Sequence, residues 1–224
     1  IVRGAVTSGA SGLSQATSNY QYFYNNNVLV TNTYASSGAF DMTGTSGGGT
    51  FISIVNNVLA NTGGGYAINF PSGLTPTSST FNNNDFYYTG SNLGVYNGTT
   101  TPALSNWRTT SGQDAASIVA NPGFVSTSTN DLHVTNCAIK NRGANSLAYV
   151  STDIDGTSRD AVPDIGADEI SIAGIWTGVA STDWYNTANW CNDALPSCAG
   201  NVNVVINPIA VGVATVNYPV INNL

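Results

Sequence analysis

The chain has 224 residues and a net charge of −7, with 8% of its residues charged and 42% hydrophobic. Disorder combines low hydrophobicity with high charge, so this composition excludes a simple disordered tail. The acidic balance argues against nucleic-acid binding, which needs a Lys/Arg patch to displace counterions, and against docking on anionic lipid.

Good helix formers are scarce, with one Lys, one Glu and one Met in the whole chain. Gly, Asn, Ser and Thr fill the polar positions, and they suit tight corners and stacked strands better than helices. An all-β fold is expected. No apolar run reaches the roughly 18 residues that a membrane span needs, so direct insertion is not expected. The chain starts at Ile1 and stops at Leu224 within strand-like pattern, which reads as a segment of a longer protein.

Between positions 1 and 170, a short apolar or aromatic strand recurs beside an Asn pair or triplet: YFYNNNVLV (22–30), FISIVNNVLA (51–60) and FNNNDFYY (81–88). Aligning Asn26, Asn57 and Asn83 gives a slightly uneven spacing of roughly 30 residues, the period of a solenoid coil with variable loops. Coils stacked about 4.8 Å apart place inward Val, Ile and Phe in ladders and let an Asn column bond from coil to coil. The predicted architecture is therefore a right-handed parallel β-helix over positions 1–170. Tyr66–Phe70 and Leu93–Tyr96 are assigned to other faces of the same coils. A β-sandwich would instead repeat at a much shorter interval, with hairpin turns between its strands. Tyr87, Tyr88 and Trp107, with Tyr20, Tyr22 and Tyr24, are candidates for stacking on a glycan; the plainer reading makes them core or ladder residues. Nothing in the spacing of Asp85, Asp114 and Asp131 marks a glycosidase carboxylate pair.

From Asn121 the texture changes to NPGFV, DLHV, CAIKNRG and DIDGTSRDAVPDIGADE, and six of the twelve acidic residues fall between Asp153 and Glu169. Two readings of this cluster stay open. In one, Asp155 and Asp164 accept backbone N–H bonds and pair with Arg159, capping the last coil. In the other, Asp153, Asp155 and Asp164 ligate a structural Ca²⁺. The position of Gly156 rules out an EF-hand. His133 is the single histidine, which excludes a multi-His zinc site, and it is expected to face solvent or a loop. Lys140 and Arg142 are the cations a lyase site would need, although a salt bridge to the Asp cluster is the simpler role. Cys137, in an apolar segment, reads as a small core residue.

A boundary is expected near residue 171. Positions 171–224 form a Trp-rich β module with Trp176, Trp184 and Trp190 as its core, followed by the alternating start of a further sheet. Cys191 and Cys198 flank NDALPS and are expected to form a disulfide.

The run NPGFV, DLHV, CAIKNRG, DIDGTSRDAVPDIGADE resembles the closing coils of right-handed β-helix domains in large secreted surface proteins of the Bacteroidetes. Asn136-Cys137 stands where that pattern usually has Ser-Pro. The following WTG…STDW…NW…NVNVVI run is similar to a module of gliding-motility and type IX-secreted proteins of the same phylum. The resemblance implies export, a modular architecture and a cell-surface location, with surface glycans or other surface proteins as partners. It brings no activity with it. The function expected is a non-enzymatic β-helical stalk of an adhesin. The alternative is a polysaccharide lyase or glycoside hydrolase whose active coils lie outside this segment.

Overall fold

The strand–Asn–strand units fold as coils of a parallel β-helix. The computed structural model describes residues 9–44, 47, 49–197 and 204–206. The chain divides into two units, residues 1–169 and 170–224.

In the first unit each coil contributes one strand to each of three sheets. The first coil carries β1 (Ser11–Ala16), β2 (Tyr22–Tyr24) and β3 (Asn27–Val30). The second carries β4 (Gly38–Thr43), β5 (Ser53–Val55) and β6 (Val58–Asn61), and the third β7 (Tyr66–Phe70), β8 (Thr80–Asn82) and β9 (Asp85–Tyr88). Equivalent strands pair in parallel, so Phe23, Ile54 and Phe81 share one column and Val28, Leu59 and Phe86 another. Side chains in the inward columns make the core: Phe40, Ile54, Leu59, Ile68, Phe70 and Phe86 are all 0% exposed. Each such burial contributes roughly 1.5–3 kcal/mol.

The Asn column exists, with its register corrected by one residue. Asn26 N–H donates to Asn57 Oδ1 (3.0 Å), Asn57 N–H to Asn84 Oδ1 (3.0 Å), and Asn84 N–H to Ser117 Oγ (2.8 Å). The third member is thus Asn84 and not Asn83. A triplet of asparagines can be aligned in two ways, and the pairing of Val58 with Asp85 selects one. Asn83 belongs with Asn25 and Asn56, whose φ values of 53°, 52° and 59° turn the corner between sheets in the left-handed region that Asn tolerates.

The end of the stack is closed by elements the sequence pattern did not suggest. β10 (Gly94–Tyr96) continues the first sheet, and β11 (Thr99–Thr101) turns back antiparallel to it. Helix α1 (Leu104–Ser111) then sets the fully buried Trp107 against Phe70, Phe86 and Tyr96. Thr109, Thr110 and Ser111 each donate a hydroxyl to the carbonyl four residues back, and Gly112 stops the helix at φ 70°. With one buried side chain, this helix carries no apolar stripe to read.

From Asn121 the chain leaves the coils and returns along the Asn corner. Asn83 Nδ2 donates to the Arg142 carbonyl (2.8 Å), Asn56 Nδ2 to Ala144 (2.8 Å), and Asn25 Nδ2 to Gly166 (3.2 Å). The segment expected to cap the last coil therefore clasps all three coils from the side. The corner supplies the donors for this contact, because its side-chain amides point outward. Within this segment β12 (Phe124–Ser126) pairs antiparallel with β13 (Asp131–Val134).

In the second unit β14 (Ile175–Trp176) pairs in parallel with β15 (Val205–Ile206). Trp176, Trp184 and Trp190 pack with ring centroids 4.6–5.7 Å apart. Most of the alternating tail expected to begin a further sheet lies outside the described residues.

Candidate functional site

Two surface features of the first unit carry chemistry. The first is built on β13, where Asp131 and His133 alternate onto one face. Asp131 Oδ1 accepts from His133 N–H (3.1 Å) and lies 2.6 Å from its Nδ1. The other ring nitrogen, Nε2, sits 3.3 Å from both carboxylate oxygens of Asp155. Asp168, 9% exposed, approaches from the end of the return segment, its Oδ2 accepting from Val134 N–H (3.2 Å). The hydrogen bond to Asp131 raises the pKa of His133, and the same bond lowers that of Asp131. Burial pushes Asp168 upward. His133, Asp131 and Ile154 also line an open cleft of about 440 Å³ beside Asn25–Asn27.

The acidic residues singled out from sequence are divided among different tasks. Asp153 Oδ1 accepts from the N–H groups of Asp155 (3.0 Å) and Thr157 (2.7 Å), and its Oδ2 from Glu169 N–H (3.2 Å). That fixes the 153–157 turn, with Gly156 at φ 83°. Asp164 Oδ1 accepts from Asn141 N–H at 2.6 Å. Among the described residues, the group whose ligand atoms converge is His133, Asp155 and Asp168, and not Asp153, Asp155 and Asp164.

Arg159 has a partner that the sequence did not suggest. Arg159, 6% exposed, pairs with Glu169 at 2.6 Å and donates to the Gly166 carbonyl at 3.0 Å, while Asp155 stands beside His133. Burial, reinforced by the Asp164 charge, pushes the Glu169 carboxyl up to about 7 against the pull of Arg159. Asp85 and Asp114 lie inside the coils at 0% and 1% exposure, so neither forms a surface carboxylate pair with Asp131. Cys137 is half-exposed and disulfide-bonded, not a core thiol. Cys191 is disulfide-bonded as well, and its expected partner Cys198 lies outside the described residues.

The second feature is an exposed aromatic strip on the β2–β5 face. Tyr20 (63% exposed) and Phe51 (44%) stack at 5.0 Å with planes 15° apart. Tyr22 (53%) stacks on Tyr149 (65%) at 5.6 Å and 19°, and Tyr24 meets Tyr149 edge-on at 5.1 Å. Tyr20 and Phe51 hold φ of 56° and 58°, a region bulky side chains enter at a cost of order 1–3 kcal/mol. Hydrogen bonds from Tyr20 N–H to the Thr50 carbonyl and from Phe51 N–H to that of Thr77 hold them there.

Of the glycan-contact residues expected from sequence, Trp107 is excluded: it is fully buried and its Nε1–H donates to Asp114 Oδ2 at 2.7 Å. Tyr87 and Tyr88 are half-buried, and Tyr88 OH donates to the Pro102 carbonyl. Phe51 and Tyr149 join the strip without having been expected there. Phe51 follows Tyr20 at the same interval as Asn57 follows Asn26, so the coil period itself carried that signal.

No protein-family model, curated protein or solved structure matches this chain.

Proposed function

We propose that this chain is a non-enzymatic segment of an extracellular adhesive stalk, a parallel β-helix presenting a strip of aromatic rings to surface saccharides. The observation that supports it is the Tyr20–Phe51 and Tyr22–Tyr149 pair of stacks, left open to solvent beside β2 and β5. Large aromatics in monomers are mostly buried, and a contiguous exposed set marks a binding surface. Ring faces offer flat apolar area to the C–H face of a pyranose; Tyr22 stands in β2, Tyr20 and Phe51 at the bends that lead into β2 and β5, and Tyr149 in a turn of the return segment. The resemblance of positions 121–170 to the ends of exported β-helices supports the cell-surface setting.

Affinity electrophoresis through gels containing neutral or acidic polysaccharides tests the reading. The full chain should be retarded by at least one of them, and Tyr22→Ala/Tyr149→Ala should lose that retardation by tenfold or more at unchanged thermal stability. Equal retardation of the double variant sinks the proposal. Depolymerisation of the polysaccharide by the purified chain would replace it with a lyase or hydrolase.

A further inference from the structure

The cluster on β13 is separate from the aromatic strip, and its geometry has a different use. A zinc-ligating histidine nearly always has its second ring nitrogen fixed by a carboxylate or carbonyl, which sets the tautomer and aims the free nitrogen. Asp131 does this to His133 Nδ1 at 2.6 Å. The Nε2 so aimed is 3.3 Å from each Asp155 oxygen. Zn–N and Zn–O bonds are about 2.0–2.2 Å, which puts neighbouring tetrahedral ligands roughly 3.4 Å apart. As a hydrogen bond that spacing is long, since N–H···O bonds cluster at about 2.7–3.2 Å.

The third donor gives independent support. Asp168 is nine-tenths buried, yet its one hydrogen bond, from Val134 N–H, engages Oδ2 alone. Its Oδ1 stays open to solvent and so is available as a ligand. Its ligand atom, with those of His133 and Asp155, falls in a group whose members all lie within 4.8 Å of one another. Asp155 is exposed at the apex of its turn. Three carboxylates, Asp131, Asp155 and Asp168, surround one imidazole, while the nearby Arg159 is committed to Glu169, Gly166 and Thr152. Three carboxylates against one imidazolium leave a net negative charge that a divalent ion would offset.

We propose that His133 Nε2, Asp155 and Asp168 bind one divalent transition-metal ion of the zinc class, oriented by Asp131 through His133 Nδ1. One nitrogen and two carboxylates suit Zn²⁺, whereas Ca²⁺ takes an all-oxygen shell of six to eight ligands. The three ligands come from β13, the 153–157 turn and the end of the return segment, so the ion would tie the clasp to itself. A fourth coordination position would be filled by water.

Competition of the full chain with a chromophoric chelator for Zn²⁺ at pH 7.5 tests this, with Ca²⁺ and Mg²⁺ in parallel and the visible spectrum of the Co²⁺ form as a second readout. One Zn²⁺ per chain is expected. Asp155→Asn, at an exposed position that leaves the fold intact, should weaken binding at least tenfold, and His133→Ala should abolish both it and the Co²⁺ spectrum. Asp131→Asn should weaken binding less than either. Zn²⁺ affinity unchanged in His133→Ala, preference for Ca²⁺ over Zn²⁺, or no uptake by the parent chain each overturns the proposal.

Discussion

Asp85 shows how a single buried residue contributes to the pH response of the coils. It opens β9, is 0% exposed, and accepts one hydrogen bond, from Ala120 N–H, while its Oδ2 has no partner. Burial pushes its pKa from 3.8 to about 8. The folded chain therefore keeps a proton that the unfolded chain releases. The stability this gives is complete below about pH 4 and is lost as pH rises through about 8, by an amount on the order of a few kcal/mol. Urea unfolding at pH 5 and pH 8 should show the parent chain weakening, and Asp85→Asn should flatten that slope. An equal slope in the variant would mean that other groups carry it. The sequence reveals the Asn column at this scale because identical residues recur at the coil interval. It does not reveal which of Asn82, Asn83 and Asn84 points inward, since strand pairing decides that. Nor does it reveal that Asp85 is buried, because its column partners are Asn27 and Val58.

At the scale of elements, strands were legible and the helix was not, for one reason. A buried strand needs only a short apolar run between breakers, and SIV, VLAN and YAINF supply it. Helix α1 buries one Trp and, apart from Leu104, otherwise carries Thr, Ser, Asn and Arg, so no period announces it. The β2–β5 face has a readable period but an unreadable backbone: nothing in the letters says that Tyr20 and Phe51 stand in the left-handed region. That strain gives a test. At Phe51, φ 58° disfavours any side chain with a Cβ, so Phe51→Gly should be about 1–2 kcal/mol more stable than Phe51→Ala. Both should bind polysaccharide more weakly than the parent. Thermal melts of the two variants side by side read the difference, and Ala at least as stable as Gly would show that the corner does not store strain. A binding surface kept at a cost in stability is the expected signature of function.

For the whole molecule, the return segment changes what kind of solenoid this is. A simple β-helix is a one-dimensional stack in which each coil depends on its neighbours. Here residues 121–169 also bond across coils: Gly166 N–H donates to the Asn56 carbonyl, Ala167 N–H to Asn27 Oδ1, and Ser146 Oγ to Asn25 Oδ1. The corner amides it satisfies are buried, Asn25 at 6% and Asn56 at 0% exposure. Each intramolecular hydrogen bond contributes about 0.5–1.5 kcal/mol net, so losing the set made by the clasp removes several kcal/mol from a domain whose total stability is of order 5–15. Chains cut after residue 169 and after residue 120 separate this from end-capping, since both retain β11, α1 and Trp107. With Cys137→Ser in the longer piece to prevent disulfide-linked dimers, residues 1–169 should melt in one cooperative transition close to that of the first unit within the full chain. Residues 1–120 should melt more than about 10 °C lower or fail to give a cooperative transition. Similar melting of the two pieces would assign the stability to the Trp107 cap and leave the clasp an ornament of the corner.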